Sequence, residues 1–206
     1  MERGLIMLNI LLTGVGGQGT VLAAKVLAQA AQAKGWQVRT AETIGMAQRG
    51  GSVVSHVRMG NDGEEVLAPL VAVGGADLVI AFEPAEAARV LPYLAPTGVL
   101  VSATTAIQPV TAALSSEPYR SSDIVARLGE ILNVGGEKRF FAIDDDSLVK
   151  RVGNRKALNT ILLASALALG RLPLSLDDLR EAIAVCVKPR FVDLNMTAIE
   201  AVEQGV

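Results

Sequence analysis

The chain is predicted to be an α/β protein, a three-layer α/β/α domain built on a mixed, mostly parallel sheet, with a Rossmann-like beginning and an antiparallel hairpin. Three observations predict this class. Short, largely apolar runs such as Leu8 to Thr13 and Ala76 to Phe82 have the character of strands buried on both faces. They alternate with longer segments of good helix formers, the order expected when helices cover a sheet. A glycine-rich segment, GVGGQGT at residues 14–20, joins the first apolar run to the first helical segment.

Leu8 to Thr13 is read as the first strand, Thr20 to Lys34 as a helix stopped by Gly35, and Trp36 to Ala41 as the second strand. A strand–loop–helix–strand unit implies a parallel pair joined by a right-handed crossover. Ser52 to Met59 then alternates, with Val53, Ser55, Val57 and Met59 facing one way and Val54, His56 and Arg58 the other. Gly60-Asn61-Asp62-Gly63 supplies residues that tolerate positive φ, so a hairpin returning through Glu65 to Leu67 is expected. Ala76 to Phe82 is a further strand, and Pro84 suits the first turn of a helix running to about Val90. Gly98 to Ser102 reads as a strand, Asp123 to Leu132 as a helix, and Arg139 to Ile143 as the last strand, ended by Asp144-Asp145-Asp146. Asn154 is a candidate N-cap for a helix to Leu169 closed by Gly170. Ser175 with Asp178 forms a capping-box pattern for a helix ending near Val187, and a final helix spans Val192 to Glu203.

A chain of 206 residues can bury one substantial core, so a single domain over residues 1–206 is expected. Half of the residues are hydrophobic but only 3% are aromatic, so Ala, Val, Leu and Ile must build that core. The mean hydropathy of +0.40 exceeds that of an ordinary free-standing domain. Two readings account for it: strands buried on both faces, and apolar surface covered by another subunit. Membrane insertion needs a run of roughly 18 apolar residues. The longest candidate, Ala157 to Leu169, is shorter and carries Asn159, Thr160 and Ser165. No cleavage site follows the apolar N-terminal run, which leads straight into the glycine loop, so the protein is expected to be cytoplasmic. A net charge of −2 gives no electrostatic basis for nucleic-acid binding. With one cysteine, Cys186, and one histidine, His56, the chain has no Cys/His set for zinc, and too few ligands to hold an iron–sulfur cluster by itself.

Gly14, Gly16 and Gly19 fit the G-x-G-x-x-G spacing. Such glycines allow a sharp turn and a close backbone approach, and the helix N-terminus beyond them offers unpaired N–H groups to an anion. Glu42, at the end of the second strand, falls where a ribose-binding acid is expected. A phosphate-cradling P-loop would require Lys and then Ser or Thr after the last glycine, where this chain has Thr20 and Val21, so a nucleotide triphosphatase is excluded. The segment Thr43 to Gly51 is a glycine-containing loop rather than the second crossover helix of a dinucleotide-binding half. Two uses of the glycines stay open: a ligand cradle, and tight packing of helix against strand. His56 lacks a neighbouring carboxylate or nucleophile in its motif and is read as a hydrogen-bonded strand histidine. Cys186 is read as a small buried hydrophobe, and Asp144 to Asp146 as a solvated strand end.

The loop G-V-G-G-Q-G, followed by G-M-A-Q-R-G-G-S-V-V-S-H-V-R at residues 45–58, resembles the gamma-type subunit or domain of the 2-oxoacid:ferredoxin oxidoreductases, which act on pyruvate, ketoisovalerate or indolepyruvate. Within that family the indolepyruvate type, with its small beta subunit, is the nearest in pattern. The similarity extends over nearly the whole chain. It includes A-D-L-V-I-A-F-E-P-A-E at residues 76–86, Asn159 in its apolar helix, and V-D-L-N-M-T-A at residues 192–198. The Q-R-G-G-S segment is its most specific part.

The resemblance implies a subunit of a thiamine-diphosphate enzyme that oxidatively decarboxylates a 2-oxoacid to acyl-CoA and passes electrons to ferredoxin. Thiamine diphosphate and the [4Fe-4S] clusters would lie on a large partner subunit, with coenzyme A as co-substrate, no cofactor held tightly by this chain, and no catalytic residue to carry over. Gly14, Gly16, Gly17, Gln18, Gly19 and Thr20 are the candidate cofactor-facing cradle. Met46, Gln48, Arg49, Gly50, Gly51 and Ser52 are the candidate loop presented to the large subunit, where Arg49 would meet a coenzyme A phosphate or a partner carboxylate as a forked donor. The isolated chain is expected to pair with a second copy. Two other functions fit the glycine loop alone: a stand-alone NAD- or FAD-binding oxidoreductase, and a nucleotide-binding regulatory module.

Overall fold

The computed structural model describes residues 7–45, 51–60, 63–107 and 119–205. Six strands form one sheet: β1 (Leu8–Val15), β2 (Gln37–Ile44), β3 (Ser52–Gly60), β4 (Ala76–Ala81), β5 (Leu94–Ala103) and β6 (Phe140–Ile143). Their spatial order is β2-β3-β1-β4-β5-β6. β1, β4, β5 and β6 pair in parallel, and β3 is antiparallel to both of its neighbours.

The period-2 alternation of these apolar runs explains the layers. Ile10 and Leu12 on β1, Leu78 and Ile80 on β4, and Val101 on β5 face one core, together with α1 (Thr20–Ala33), α5 (Leu158–Ala168), α6 (Leu176–Cys186) and α7 (Val192–Glu203). Leu11, Val79, Ala81 and Leu100 point to the other face, where α2 (Pro84–Val90) and α3 (Ser121–Leu132) pack. Each such fully buried Leu or Ile contributes about 1.5–3 kcal/mol relative to exposure. α5 is buried from Leu158 through Leu167, which accounts for the apolar residues on every side of it; Asn159, Thr160 and Ser165 are its polar members. Among the described residues no helix is long and apolar enough to cross a membrane.

The mixed three-layer class is as expected, but the connections differ in three places. β1 and β2 are not neighbours, because β3 inserts between them and replaces the expected parallel pair with two antiparallel ones. The hairpin is therefore β2–β3, closed at its described ends by Gly45 N–H donating to Ser52 O at 2.8 Å. Glu65 to Leu67 is not a return strand. Val66 is buried, but Val66 N–H donates to Gln37 Oε1 at 3.4 Å and Val66 O accepts from Arg39 Nε at 3.3 Å, so side chains of β2 stand in for a ladder. Asn61 and Asp62 of the expected turn lie outside the described residues.

The third difference is at Asp144 to Asp146, which begin a helix, α4 (Asp145–Val152), instead of a solvated strand end. Asp144 caps it by accepting from Ser147 N–H at 3.1 Å, and Gly153 ends it at φ 78°. Asn154 caps a short 3₁₀ turn, Arg155–Ala157, that leads into α5. The Ser175/Asp178 capping box is present, with Asp178 Oδ2 accepting from Ser175 N–H at 2.7 Å.

Candidate functional site

The glycine loop leaves the C-terminal end of β1 and enters α1. Gln18 fastens it: Oε1 accepts from Val15 N–H at 2.7 Å, and Nε2 donates to Phe82 O at 2.7 Å across to β4. Gly14 leaves room for this clamp, since a Cβ there would sit 2.7 Å from Gln18 Oε1 and 3.1 Å from the Phe82 ring. Gly17 and Gly19 have φ of 101° and 83°, which L side chains rarely adopt. Gly19 is the N-cap of α1, with no side-chain cap and no acidic residue in the first turn.

The second loop meets the first. Gly16 N–H donates to Gly51 O at 2.9 Å, so the two segments singled out in the sequence are joined through the backbone. Ser52 Oγ donates to Glu86 Oε2 at 2.5 Å, tying the same loop end to α2. Glu86 also pairs with Arg89 at 3.2 Å, and Glu83 caps α2 by accepting from Glu86 N–H at 3.0 Å. Tyr119 OH donates to Glu83 Oε1 at 2.5 Å; burial first, then this hydrogen bond, pushes its pKa well above the usual tyrosine range. Glu83 and Glu86, part of the E-P-x-E segment, are thus struts for the loop.

A cavity of about 500 Å³ opens beside the loop, lined by Gly16, Gly17, Gln18 and Gly19. Its far side comes from a distant part of the chain: Arg155, Lys156 and Asn159 at the start of α5, and Phe191, Leu194 and Asn195 around the start of α7. Asn159 is 6% exposed; its Oδ1 accepts from Thr160 N–H at 2.9 Å, and its Nδ2 has no partner among the described residues. Arg155 pairs with the fully buried Asp145 at 3.6 Å, and Asp145 Oδ1 accepts from Thr104 and Thr105 N–H at 2.9 and 3.0 Å.

Of the sequence-predicted site residues, Gly16, Gly17, Gln18 and Gly19 line the cavity, while Gly14 and Thr20 are buried at the two ends of the loop. Gly51 and Ser52 lie against the glycine loop and α2; Met46, Gln48, Arg49 and Gly50 lie outside the described residues. Glu42 is exposed, on a strand that β3 holds away from β1 by two strand spacings, roughly 10 Å, so it does not occupy the ribose-binding place of a dinucleotide fold. His56 Nδ1 accepts from Val71 N–H at 3.1 Å, and burial lowers its pKa, as befits a neutral strand histidine. Cys186 is half-buried, its thiol pKa raised by burial. Arg155, Lys156 and the free amide of Asn159 were not legible as site residues, because only the fold brings them to the loop. The one available signal was two cations in the first turn after an N-cap.

A protein-family model described as pyruvate ferredoxin/flavodoxin oxidoreductase matches residues 9–204. The chain belongs to this family. It is 37% identical to the indolepyruvate oxidoreductase subunit IorB of Thermococcus kodakarensis, over 93% of this chain and 92% of the relative. It is 36% identical to the same subunit of Archaeoglobus fulgidus, over 94% and 92%. The gamma subunit of a keto/oxoacid ferredoxin oxidoreductase from Geobacter sulfurreducens has the same fold, with a TM-score of 0.66 at 22% identity over 96% and 95% of the two chains. The chain of a 2-oxoglutarate:ferredoxin oxidoreductase from Magnetococcus marinus also matches, at a TM-score of 0.66 and 19% identity, but this chain covers only 31% of it. This is therefore the small, gamma-type subunit form of the pyruvate ferredoxin/flavodoxin oxidoreductase family, and its fold also occurs within a longer chain. Its residues do not fit the family's redox groups. One cysteine cannot hold an iron–sulfur cluster, and among the described residues no group of three His, Cys, Asp or Glu side chains is placed to hold a metal ion.

Proposed function

We propose that this chain is the small subunit of a cytoplasmic, thiamine-diphosphate-dependent 2-oxoacid:ferredoxin oxidoreductase that acts on indolepyruvate or a related arylpyruvate. The 2-oxoacid and coenzyme A give acyl-CoA, carbon dioxide and a proton, and two electrons pass to ferredoxin. Thiamine diphosphate and the iron–sulfur clusters belong to a large partner subunit. The observation that carries this reading is the 36–37% identity over more than nine-tenths of both chains to indolepyruvate subunits, against 27% to a ketoisovalerate relative.

In this assignment the chain contributes surfaces rather than a nucleophile. The loop from Met46 to Ser52 faces the large subunit, held at its described end by Gly16 and Glu86, with Arg49 as the forked donor toward coenzyme A or a partner carboxylate. The glycine loop supplies a backbone N–H cradle. The test is anaerobic co-expression with the large subunit and an assay of indolepyruvate- and coenzyme A-dependent reduction of ferredoxin. The expected result is activity in the two-subunit complex, loss of activity when this chain is omitted, and a raised KM for coenzyme A or weaker assembly in Arg49→Ala. A large subunit fully active alone would overturn the assignment.

A further inference from the structure

We propose that the outer edge of β2 is the contact through which two copies of this chain pair, antiparallel about a two-fold axis at Ala41, joining their sheets into one. The two ends of the sheet are finished differently. β6 has four residues, and Asn133 Oδ1 accepts from the N–H groups of Arg139 and Phe140 at 2.9 Å each. β2 has eight, runs in unbroken register with β3 and contains no proline, and among the described residues no strand pairs with its outer side. Six of its residues are exposed, Ile44 at 64%, so little of the protein's own surface covers it. Its one cation, Arg39, does not guard the edge, because Nε is drawn back to donate to Val66 O at 3.3 Å. A long, regular, unguarded edge is a template for another strand.

The strand's own sequence selects a second copy as the occupant. Gly45 N–H donates to Ser52 O, and the β2–β3 register pairs Thr43 with Val54, Ala41 with His56 and Arg39 with Arg58, so the odd-numbered residues of β2 bond to β3. The N–H and C=O groups of Val38, Thr40, Glu42 and Ile44 therefore point outward. An antiparallel copy has to pair these even-numbered residues with one another, which puts the two-fold axis on a residue and never between two. With the axis at Ala41, Val38 meets Ile44 of the copy and Thr40 meets Glu42, while Arg39 meets Thr43 on the opposite face. This register engages all four free residues of each strand in about eight backbone bonds. It also forms two apolar pairs, covers the exposed Ile44 and opposes no like charges. An axis at Thr40 sets Val38 against Glu42 and leaves Ile44 beyond the end of the copy's strand, and an axis at Glu42 sets two carboxylates against each other.

The test is sedimentation velocity of the full-length chain over a range of micromolar concentrations, where a concentration-dependent dimer is expected. Thr40→Pro removes an outward N–H and none of the bonds to β3, so it should raise the dimer Kd by about tenfold or more with an unchanged far-ultraviolet circular dichroism spectrum. Thr40→Lys, set against Glu42 of the copy, should dimerise at least as tightly as the parent chain. Thr40→Glu should dimerise more weakly, with the loss relieved by salt. Ala41→Cys, in a Cys186→Ser background, should close a disulfide across the axis, where the Cβ atoms of an opposed pair lie about 4.5 Å apart. A chain that stays monomeric, a T40P variant as dimeric as the parent, or an A41C variant that does not cross-link would overturn the proposal. So would a monomer whose β2 amides become protected from hydrogen exchange only with the large subunit, since that subunit would then own the edge. A dimer that captures no large subunit would sink only the subunit reading, on which this proposal does not rest.

Discussion

The two halves of the glycine loop use the same residue type for opposite purposes. At Gly14 the backbone is pressed into protein, under Gln18 and Phe82, and at the exposed Gly16 it is tied to Gly51 through the backbone. At Gly17 nothing approaches within 4 Å of a would-be Cβ, and at Gly19 the near neighbour is the Asn159 amide. One half is a joint between β1, β4 and the neighbouring loop, and the other is an open edge whose Gly17 and Gly19 N–H groups have no acceptor among the described residues. A G-x-G-x-x-G spacing therefore need not be one device. Of the two uses the sequence leaves open, tight packing is present at Gly14, and the ligand cradle is the use we propose for Gly17 and Gly19.

Graded substitutions sharpen this division. The largest effect is expected at Gly14→Ala, where a methyl group would press on a clamped amide and a fully buried ring; denaturant unfolding should show a loss of about 3 kcal/mol. Gln18→Ala removes both ends of the clamp and leaves Val15 N–H unpaired, at a cost of about 2 kcal/mol by the same measurement. Gly17→Ala meets open space and incurs only the strain of its positive φ, about 1 kcal/mol. If Gly17→Ala proved as damaging as Gly14→Ala, the division would be wrong.

A control away from the loop concerns pH. Burial holds the His56 pKa in the folded chain below the ordinary 6.5, so the unfolded chain takes up the proton first. Stability is then whole above about pH 6.5 and is lost as pH falls through that value toward the lowered folded pKa. His56→Asn offers Oδ1 to Val71 N–H in place of Nδ1 and removes the proton uptake. Urea unfolding at about pH 7.5 and about pH 5.5 should show a smaller drop for the variant than for the parent chain.

What was legible in the sequence was local. The caps at Ser175 and Asn154, the Pro84 start and the bounds of the last helix follow from short-range chemistry, and the structure has them. α4 was missed although its signals were present, with acids at the start, Lys150 and Arg151 in the last turn and Gly153 after it, because three consecutive aspartates read equally as a solvated end. The insertion of β3 between β1 and β2 is a matter of strand order, which no residue spacing encodes. The cavity was illegible for the same reason. Its glycines lie near residue 16 and its cations near residue 155, and only the packing of α5 against β4, β5 and α1 makes them neighbours.

The central claim is that this chain works as the partner of a cofactor-bearing large subunit, and purification decides it most directly. The tagged chain is isolated anaerobically from its native host, the proteins that accompany it are identified by mass spectrometry, and thiamine diphosphate and iron are assayed in the same sample. The account predicts a large, cysteine-rich partner with both. A chain recovered alone under gentle conditions, with a bound nucleotide and no iron, would contradict it.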